Sequence, residues 1–553
     1  MVGPYRAGQA SAPNELGARD GLVDELIQQF ADPLAFYREL VQNGIDAGAT
    51  SLAVTLAFEP DAADPSRGTA LVSVRDDGCG MGRETLEEEL TVLFRSGKEG
   101  QKDKIGKFGV GFVSVLAVRP LLVVVRTSQG RGEQWTLHLH PDQSYELFQA
   151  QGGGASGTTV TLHVPLERAA YGAFVEGSER ALIKWCRHVE VPLRFAASVL
   201  GEGAPLREAR IDRPFGLDAL VVAERIEDDG KTRVVAGLPH DGQPYLAFFN
   251  RGLLLYETTS DVLGAVHVKI LDSRLEHTLS RDNVRRDEHY EHAMRVARLV
   301  VDEVLPARAR DALSAVAEGR RAEPRPDAVL AALARAELPL SPDEVPVALL
   351  HPCAGRRTIS ARALARAGGF ASMRASAVTE ALAGAERPVV DLRVADDPVR
   401  YCEQLAALTG VPIELAEDAI TLAEPVEASG SDRAMLDVFA RVLAGTLRAP
   451  EAPRLVSLRG ALAKQRVFVA GDGEPPAILT LEQARRDPFR RFRRPPLWLD
   501  AEAPVVRAAR AAAAREPELA GALLARAVLV AYGSLDEASD DRWLAASLTE
   551  LER

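Results

Sequence analysis

Helical and strand periods alternate between residue 22 and about residue 200. Asp32-Pro33 reads as a helix start, an N-cap followed by Pro at the first helical position, and LAFYRELVQNGIDAGA continues the helix. On it Glu39, Asn43 and Asp46 fall at i, i+4 and i+7 and share one face. Residues 121–125 and 160–164 read as buried strands, the second alternating as VTLHV, with a Gly-rich insert at 152–157 before it. Residues 201–205 read as a linker into a second mixed region, strand-like at 245–249 and 264–271 and helical from near Glu288. The run EGRRAEPRPD beside Gly319 marks another boundary. Beyond it the chain is Ala/Leu/Arg-rich and weakly patterned, with further breaks near 384–388 and 449–453 and no internal repeat.

Composition narrows the class. A length of 553 residues predicts about three to four domains. Hydrophobic content of 46% and charged content of 26% are ordinary for a folded chain, which excludes collagen-like, disulfide-scaffold and wholly disordered readings. The net charge of −13 removes the basic footprint of a nucleic-acid binder. Cys79, Cys186, Cys353 and Cys402 lie far apart with no metal-ligand spacing, as free thiols in a reducing compartment would. The first residues carry no apolar leader core and no long apolar run follows, so the expectation is a cytoplasmic chain without membrane contact.

Four short segments carry candidate chemistry, and the first three each have a plain alternative. The Glu39–Asn43–Asp46 stripe reads either as a ligand face or as the solvated side of an amphipathic helix. In LVSVRDDGCGM a strand ends at Asp76, which can accept from an exocyclic amine, while Gly78 and Gly80 permit positive φ or close approach to a ligand; the alternative is a turn. In FRSGKEGQKDKIGKFGVGF the lysines 98, 102, 104 and 107 crowd beside Gly106, Gly109 and Gly111 ahead of an apolar helix at 112–118. Such backbone can present N–H groups to phosphates, or form a charged surface loop. Finally, Gly157-Thr158-Thr159 opens a strand where a hydroxyl can close a pocket.

Taken in order, ELVQNGIDA, DDGCGM, GKFGVGF and GTTVTL resemble the four boxes of the GHKL ATPases. The pairing of FRSGKEG with KIGKFGVGF, the stretch FFNRGLLLYE…VHVKILDSRLEHTLSRDNVRRD, and the end LWLDAEAPVVRAARAAAAREPELAGALLARAVLVAYGSLDEASD are similar to the heat shock protein 90 family, HtpG-like members included. The first box followed by GAT looks more like MutL. Between about 310 and 495 no family pattern stands out.

The resemblance implies an α+β multidomain fold: a Bergerat-type ATP-binding α/β sandwich at 1–200, an α/β middle domain at 206–385 and a mainly helical C-terminal region at 386–553. It implies ATP and Mg²⁺ as cofactors, Glu39 as general base and Asn43 as Mg²⁺ ligand, with Asp46 on the same nucleotide face. Asp76 would take the adenine amine, Gly78 and Gly80 would shape its loop, Met81 would pack on the base, and Thr158 would support Asp76 through water. Gly106, Phe108, Gly109, Val110, Gly111 and Phe112 would wrap the phosphates, inside a lid spanning about 91–112. Arg281 of LSRDNVR would reach the γ-phosphate like an arginine finger, or else pair with Asp282 or Asp287. Arg285 stands where the family has glutamine, and the exchanged N-terminal strand is not recognisable in residues 1–20. Two helices broken at Glu516-Pro517 would join protomers of a homodimer acting on protein clients, or form an ordinary terminal bundle. The basic cluster at 485–494 reads as a solvated loop. The alternative reading is a nucleotide-gated MutL-like or other GHKL interaction protein, acting on DNA or in a defence or signalling complex.

Overall fold

The computed structural model describes residues 32–90, 111–142, 144–151, 154–278, 283–446, 451–463, 468–470, 496–531, 540–541 and 544–545. The chain divides into two compact units, Met1–Val304 and Leu305–Arg553.

The first unit holds two sheets. Asp32 caps the start of the first helical segment, its Oδ1 accepting from the Leu34 N–H at 2.9 Å, and a 3-10 turn over Pro33–Ala35 leads into helix α1, Phe36–Asp46. Then come β1 (Leu52–Pro60), β2 (Arg67–Asp76), β3 (Leu122–Ser128), β4 (Glu133–Leu139), β5 (Tyr145–Gln151), β6 (Gly157–Glu167), α2 (Tyr171–Cys186), β7 (Leu193–Val199) and β8 (Arg207–Arg210). The eight strands form one sheet in the order β5-β4-β3-β6-β2-β1-β7-β8. Its pairs are antiparallel except β1 with β7.

Strand period decides which face is covered. Leu52, Val54, Leu56 and Phe58 of β1, Ala70, Val72 and Val74 of β2, and Val160, Leu162 and Val164 of β6 alternate inward and join one core with Phe36, Tyr37, Leu40 and Val41 of α1. Removing this apolar surface from water is the main term holding helix to sheet.

The 201–205 segment is not a linker. It is the connection of the antiparallel β7–β8 pair, with the Leu206 N–H donating to the Ala197 carbonyl at 2.8 Å, so the passage to the second sheet lies beyond β8. Gly and Pro mark tight turns as readily as boundaries, and composition alone does not separate the two.

The second sheet comprises β9 (Val221–Ile226), β10 (Thr232–Leu238), β11 (Tyr245–Asn250), β12 (Leu253–Thr258) and β13 (His267–Asp272), in the order β12-β11-β13-β10-β9. Helix α3, Glu288–Leu299, is capped by Asp287, whose side chain accepts from the N–H groups of His289 and Tyr290, and it lies against β10 and β13.

The second unit mixes helices with two smaller sheets. Its helices are α4 (Leu305–Ala317), α5 (Pro326–Arg335), α6 (Ala361–Ala367), α7 (Ala377–Gly384), α8 (Pro398–Thr409), α9 (Gly430–Thr446), α10 (Pro504–Ala513) and α11 (Pro517–Ala531). Strands β14 (Pro346–Cys353), β15 (Arg356–Ser360), β16 (Phe370–Ser372), β17 (Val389–Asp391) and β18 (Glu414–Leu415) order as β15-β14-β17-β16-β18. Strands β19 (Thr421–Pro425), β20 (Glu451–Arg459), β21 (Phe468–Ala470) and β22 (Pro496–Asp500) order as β19-β20-β22-β21. Helices α9, α10 and α11 share a core with Leu455, Leu497 and Leu499, and a Cβ on Gly521 would come within 2.5 Å of the Met435 carbonyl oxygen, so α11 needs glycine where it crosses α9. The expected α+β multidomain architecture is the one observed, with helices outweighing strands among the described residues beyond 386.

Candidate functional site

The inward files of the first sheet end in polar residues. In β2 the file Ala70, Val72, Val74 continues to Asp76; in β6 Val164, Leu162, Val160 continues to Thr158; in β3 Val123, Val125 continues to Thr127. Register places Asp76 opposite Thr158 and Thr158 opposite Thr127, so the three form one cross-strand row at one end of the core.

Asp76 is half-buried. Its Oδ1 accepts from the Gly78 N–H at 2.9 Å and the Thr158 N–H at 3.3 Å, while no described residue donates to Oδ2. Burial holds its carboxyl above the usual carboxylate range, the two N–H donors pull the other way, and the neighbouring Asp77 charge adds to the rise. Thr158 therefore meets Asp76 directly through its backbone, whereas its hydroxyl lies 3.0 Å from the Thr127 hydroxyl. The Thr127 hydroxyl also accepts from the Met81 N–H at 2.8 Å, which ties the DDGCGM loop over the row.

The glycines of that loop are there for space. A Cβ on Gly78 would lie 2.8 Å from the Ala47 carbonyl oxygen, and one on Gly80, whose φ is +67°, would fall 1.9 Å from the Ser128 carbonyl oxygen. Asp77 points elsewhere: it accepts from the backbone and hydroxyls of Thr50 and Ser51 at 2.6–3.2 Å, which lowers its carboxyl to about 2 and fastens the loop after α1 to the end of β2.

Helix α1 reaches the row through Gly44, where a Cβ would lie 2.6 Å from Leu52 Cδ2 and 3.1 Å from Asp76 Cβ. Glu39 is buried, and the Arg38 guanidinium holds its Oε1 at 3.0 and 3.2 Å while itself lying 4.8 Å from the centre of the Trp185 ring. Asn43, half-buried, is one turn further on. Asp46 goes its own way: its Oδ1 accepts from Arg251 Nη1 at 2.6 Å. Met81 is partly buried and packs on the core; Gly111 and Phe112 are buried, with the Gly111 carbonyl accepting from the Ser114 hydroxyl at 2.6 Å. Gly106, Phe108, Gly109, Val110, the four lysines of the lid segment, Arg281, Asp282 and the basic cluster at 485–494 lie outside the described residues. Asp287 pairs with Arg285 as well as capping α3.

Thr127 and Arg38 are site residues that the sequence reading passed over. Continuing the alternation of β3 two residues past Val125 reaches Thr127. Nothing local marks Arg38 as buried.

A half-buried carboxylate with one oxygen held by N–H donors and the other left to accept suits a ligand amine. Among the described residues no three His, Cys, Asp or Glu side chains form a metal cage. Mg²⁺ bound through a nucleotide keeps waters and phosphate oxygens and takes only one or two protein ligands, a demand that the Asn43 amide oxygen can meet.

Residues 37–149 match the family of histidine kinase-, DNA gyrase B- and HSP90-like ATPases, so this part of the chain is an ATPase domain of that type. The chaperone protein HtpG of Methylobacterium nodulans is 31% identical over 32% of this chain and 32% of its own length. HtpG of Rhodospirillum rubrum is 30% identical over 32% of this chain and 31% of its own. The matched stretch thus spans about a third of the length of these curated relatives. Among the described residues no helix is long and apolar enough to cross a membrane.

Proposed function

We propose that the protein binds ATP over the Asp76–Thr158–Thr127 row, hydrolyses it slowly, and uses the cycle as a cytoplasmic chaperone of the heat shock protein 90 type, a homodimer acting on protein clients. The observation that carries the nucleotide reading is Asp76: half-buried, anchored through Oδ1, open at Oδ2, and overlain by the helix that bears Glu39. The ATPase-family match over 37–149 and the HtpG relatives support the chaperone reading.

In this reading the Asp76 carboxylate accepts from the adenine amine, Thr158 and Thr127 hold that carboxylate and its loop in register, and Met81 packs on the base. Glu39, desolvated and oriented by Arg38, takes the proton of the attacking water. Asn43 holds Mg²⁺, which when bound neutralises charge on the phosphates. The backbone of 106–112 wraps the phosphates, and Arg281 stabilises charge on the γ-phosphate. These tasks fall to an ATP-binding domain that runs through β8, a middle domain that follows it and carries the arginine loop, and a dimerising C-terminal region.

The test is ATP turnover and nucleotide affinity for wild type, Glu39→Ala and Arg281→Ala, with protein concentration varied. Slow turnover that needs both residues and rises per protomer with concentration is expected, with Glu39→Ala still binding ATP. Wild-type turnover in Glu39→Ala would remove it as the base. A wild type that hydrolyses ATP yet leaves aggregation of a denatured model client unchanged would sink the chaperone part alone.

A further inference from the structure

One helix cannot cover the whole face of the second sheet. Strands lie about 4.8 Å apart and a helix with its side chains is about 10–12 Å wide, so it shields about two of them. Helix α3 lies over β10 and β13, while β11 and β12, at the end of the order β12-β11-β13-β10-β9, run beside it. There the register sets Leu246 opposite Thr258 and Phe248 opposite Tyr256. A groove of about 350 Å³ is left between these four residues, α3, and Ser260 and Val262 after β12.

The floor of the groove is aromatic and apolar. The Phe248 and Tyr256 rings stack with centres 6.5 Å apart, and Tyr290 of α3 meets Phe248 at 5.4 Å. Met294, one turn further along α3, continues that wall, and Val262 on the opposite lip is 52% exposed. The helix-side lip is cationic. Arg286 stands 5.9 Å from the centre of the Tyr290 ring, Arg295 and Arg298 follow along α3, and all three are exposed.

These guanidiniums are left over from the fold's own ion pairs. Arg285, the neighbour of Arg286, is taken up by Glu276 and Asp287. Among the described residues no carboxylate pairs with Arg286, Arg295 or Arg298, although Glu291 stands one turn before Arg295. Glu291 is also the one acidic residue among the described residues that line the groove. In a chain of net charge −13 this is a local excess of positive charge over an aromatic floor.

Length and composition select the occupant. Aromatic residues, Met and Arg are the types enriched in protein interfaces. From Glu288 to Arg298 the helix rises about 15 Å, the span of about four to five extended residues. A small aromatic acid is too short to meet Arg286 and Arg298 together. A nucleic acid would be repelled by the acidic chain and would find few cations for its phosphates.

We propose that this groove docks a short, extended acidic segment of a partner protein, with an aromatic residue on the Phe248–Tyr256–Tyr290 floor and carboxylates on Arg295 and Arg298. No residue of the groove belongs to the Asp76 row or to α1, so the proposal goes beyond the ATPase reading and does not depend on it.

The experiment is fluorescence anisotropy on the full chain with a fluorescein-labelled peptide of about five residues, acidic around a central phenylalanine. Wild type should bind it saturably, more weakly as salt rises. Arg295→Glu/Arg298→Glu, at exposed positions that leave the thermal melt unchanged, should weaken binding at least about tenfold, and replacing the phenylalanine by serine should weaken it about fivefold. A benzophenone in place of the phenylalanine should cross-link to the segments 256–262 or 290–298. No saturable binding by wild type, wild-type affinity in Arg295→Glu/Arg298→Glu, or equal binding of a lysine-for-acid version of the peptide overturns the proposal. Tighter binding of a short single-stranded RNA makes the groove a nucleic-acid site instead, and affinity for phenylacetate equal to that for the peptide makes it a small-molecule site; either result also overturns the proposal.

Discussion

Arg38 and Glu39, neighbours on the first turn of α1, meet at 3.0 Å between Nη2 and Oε1 with both side chains withdrawn from water. Adjacent helical residues ordinarily diverge, and these two converge because the guanidinium is held against the Trp185 ring of α2. A buried carboxylate is tolerable only with a partner, so the pair holds the proposed base in place. Arg38→Met should destabilise the fold by about 3 kcal/mol, read by denaturant unfolding, and lower ATP turnover as well. Arg38→Met/Glu39→Gln should regain most of that stability while remaining inactive. Equal stability in Arg38→Met and wild type would show that Glu39 does not depend on this guanidinium.

Asp76 sets function against stability. Its carboxyl sits above the usual range because burial penalises the charge. Between the unfolded value and the raised folded one, the folded state binds more protons than the unfolded chain, so stability falls as pH rises through that window and stays lower at neutral pH. Asp76→Asn keeps an oxygen for the Gly78 and Thr158 N–H groups but turns a donor toward the ligand amine. Near neutral pH the variant should melt at or above the wild-type temperature, yet bind adenine nucleotide at least about tenfold more weakly. Wild-type affinity in the variant would detach Asp76 from base recognition.

Much of this site was readable from local pattern, and the misses share a cause. Asp76, Gly78, Gly80 and Thr158 follow from strand endings and glycine chemistry, and Asp32 caps its helical segment as its position before Pro33 predicts. Thr127 escapes the sequence pattern because 121–125 is a continuous apolar run that hides its own alternation, and the strand runs three residues past it, to Ser128. Asp46 shares a helical face with Glu39, but its partner is Arg251, 205 residues away, and no period encodes that pairing. In the second unit the strands of one sheet shrink to two or three residues at β16, β17 and β18, too short for alternation to register.

A buried Lys–His contact on the second sheet gives the first unit an acid-sensitive point. Lys269 of β13 donates from Nζ to His188 Nε2 and to the Gly216 carbonyl, both at 2.9 Å, and His188 Nδ1 lies 3.3 Å from the Arg213 carbonyl oxygen. The rings of Phe215 and Phe249 close around the imidazole at 5.2 Å. Burial, with the Lys269 charge next in importance, lowers His188 to about 4; burial, with Arg187 second, lowers Lys269 to about 8. Between 6.5, the ordinary histidine value, and about 4, the unfolded chain binds a proton that the folded chain refuses, so stability falls as pH drops through that window. For Lys269 the corresponding gain comes only as pH rises from about 8 to 10.5. Thermal melts taken from about pH 7 to about pH 4 should show a shallower acid decline in His188→Phe than in wild type. Identical slopes would place the acid sensitivity elsewhere.

Gly80 and Gly48 separate two costs of adding a side chain beside the site. Both have positive φ, +67° and +73°, but a Cβ at Gly48 meets nothing within 4 Å, whereas one at Gly80 falls 1.9 Å from the Ser128 carbonyl oxygen. Gly48→Ala carries only the left-handed backbone penalty, about 1–2 kcal/mol. Gly80→Ala adds a clash with backbone that cannot move without parting the DDGCGM loop from the end of β3, and with it the Met81 N–H from the Thr127 hydroxyl. Gly80→Ala should therefore lose clearly more stability than Gly48→Ala in denaturant melts, and should lose nucleotide binding as well, while Gly48→Ala keeps it. Comparable losses in the two variants would mean that the loop can lift off β3 without disturbing the Asp76 row.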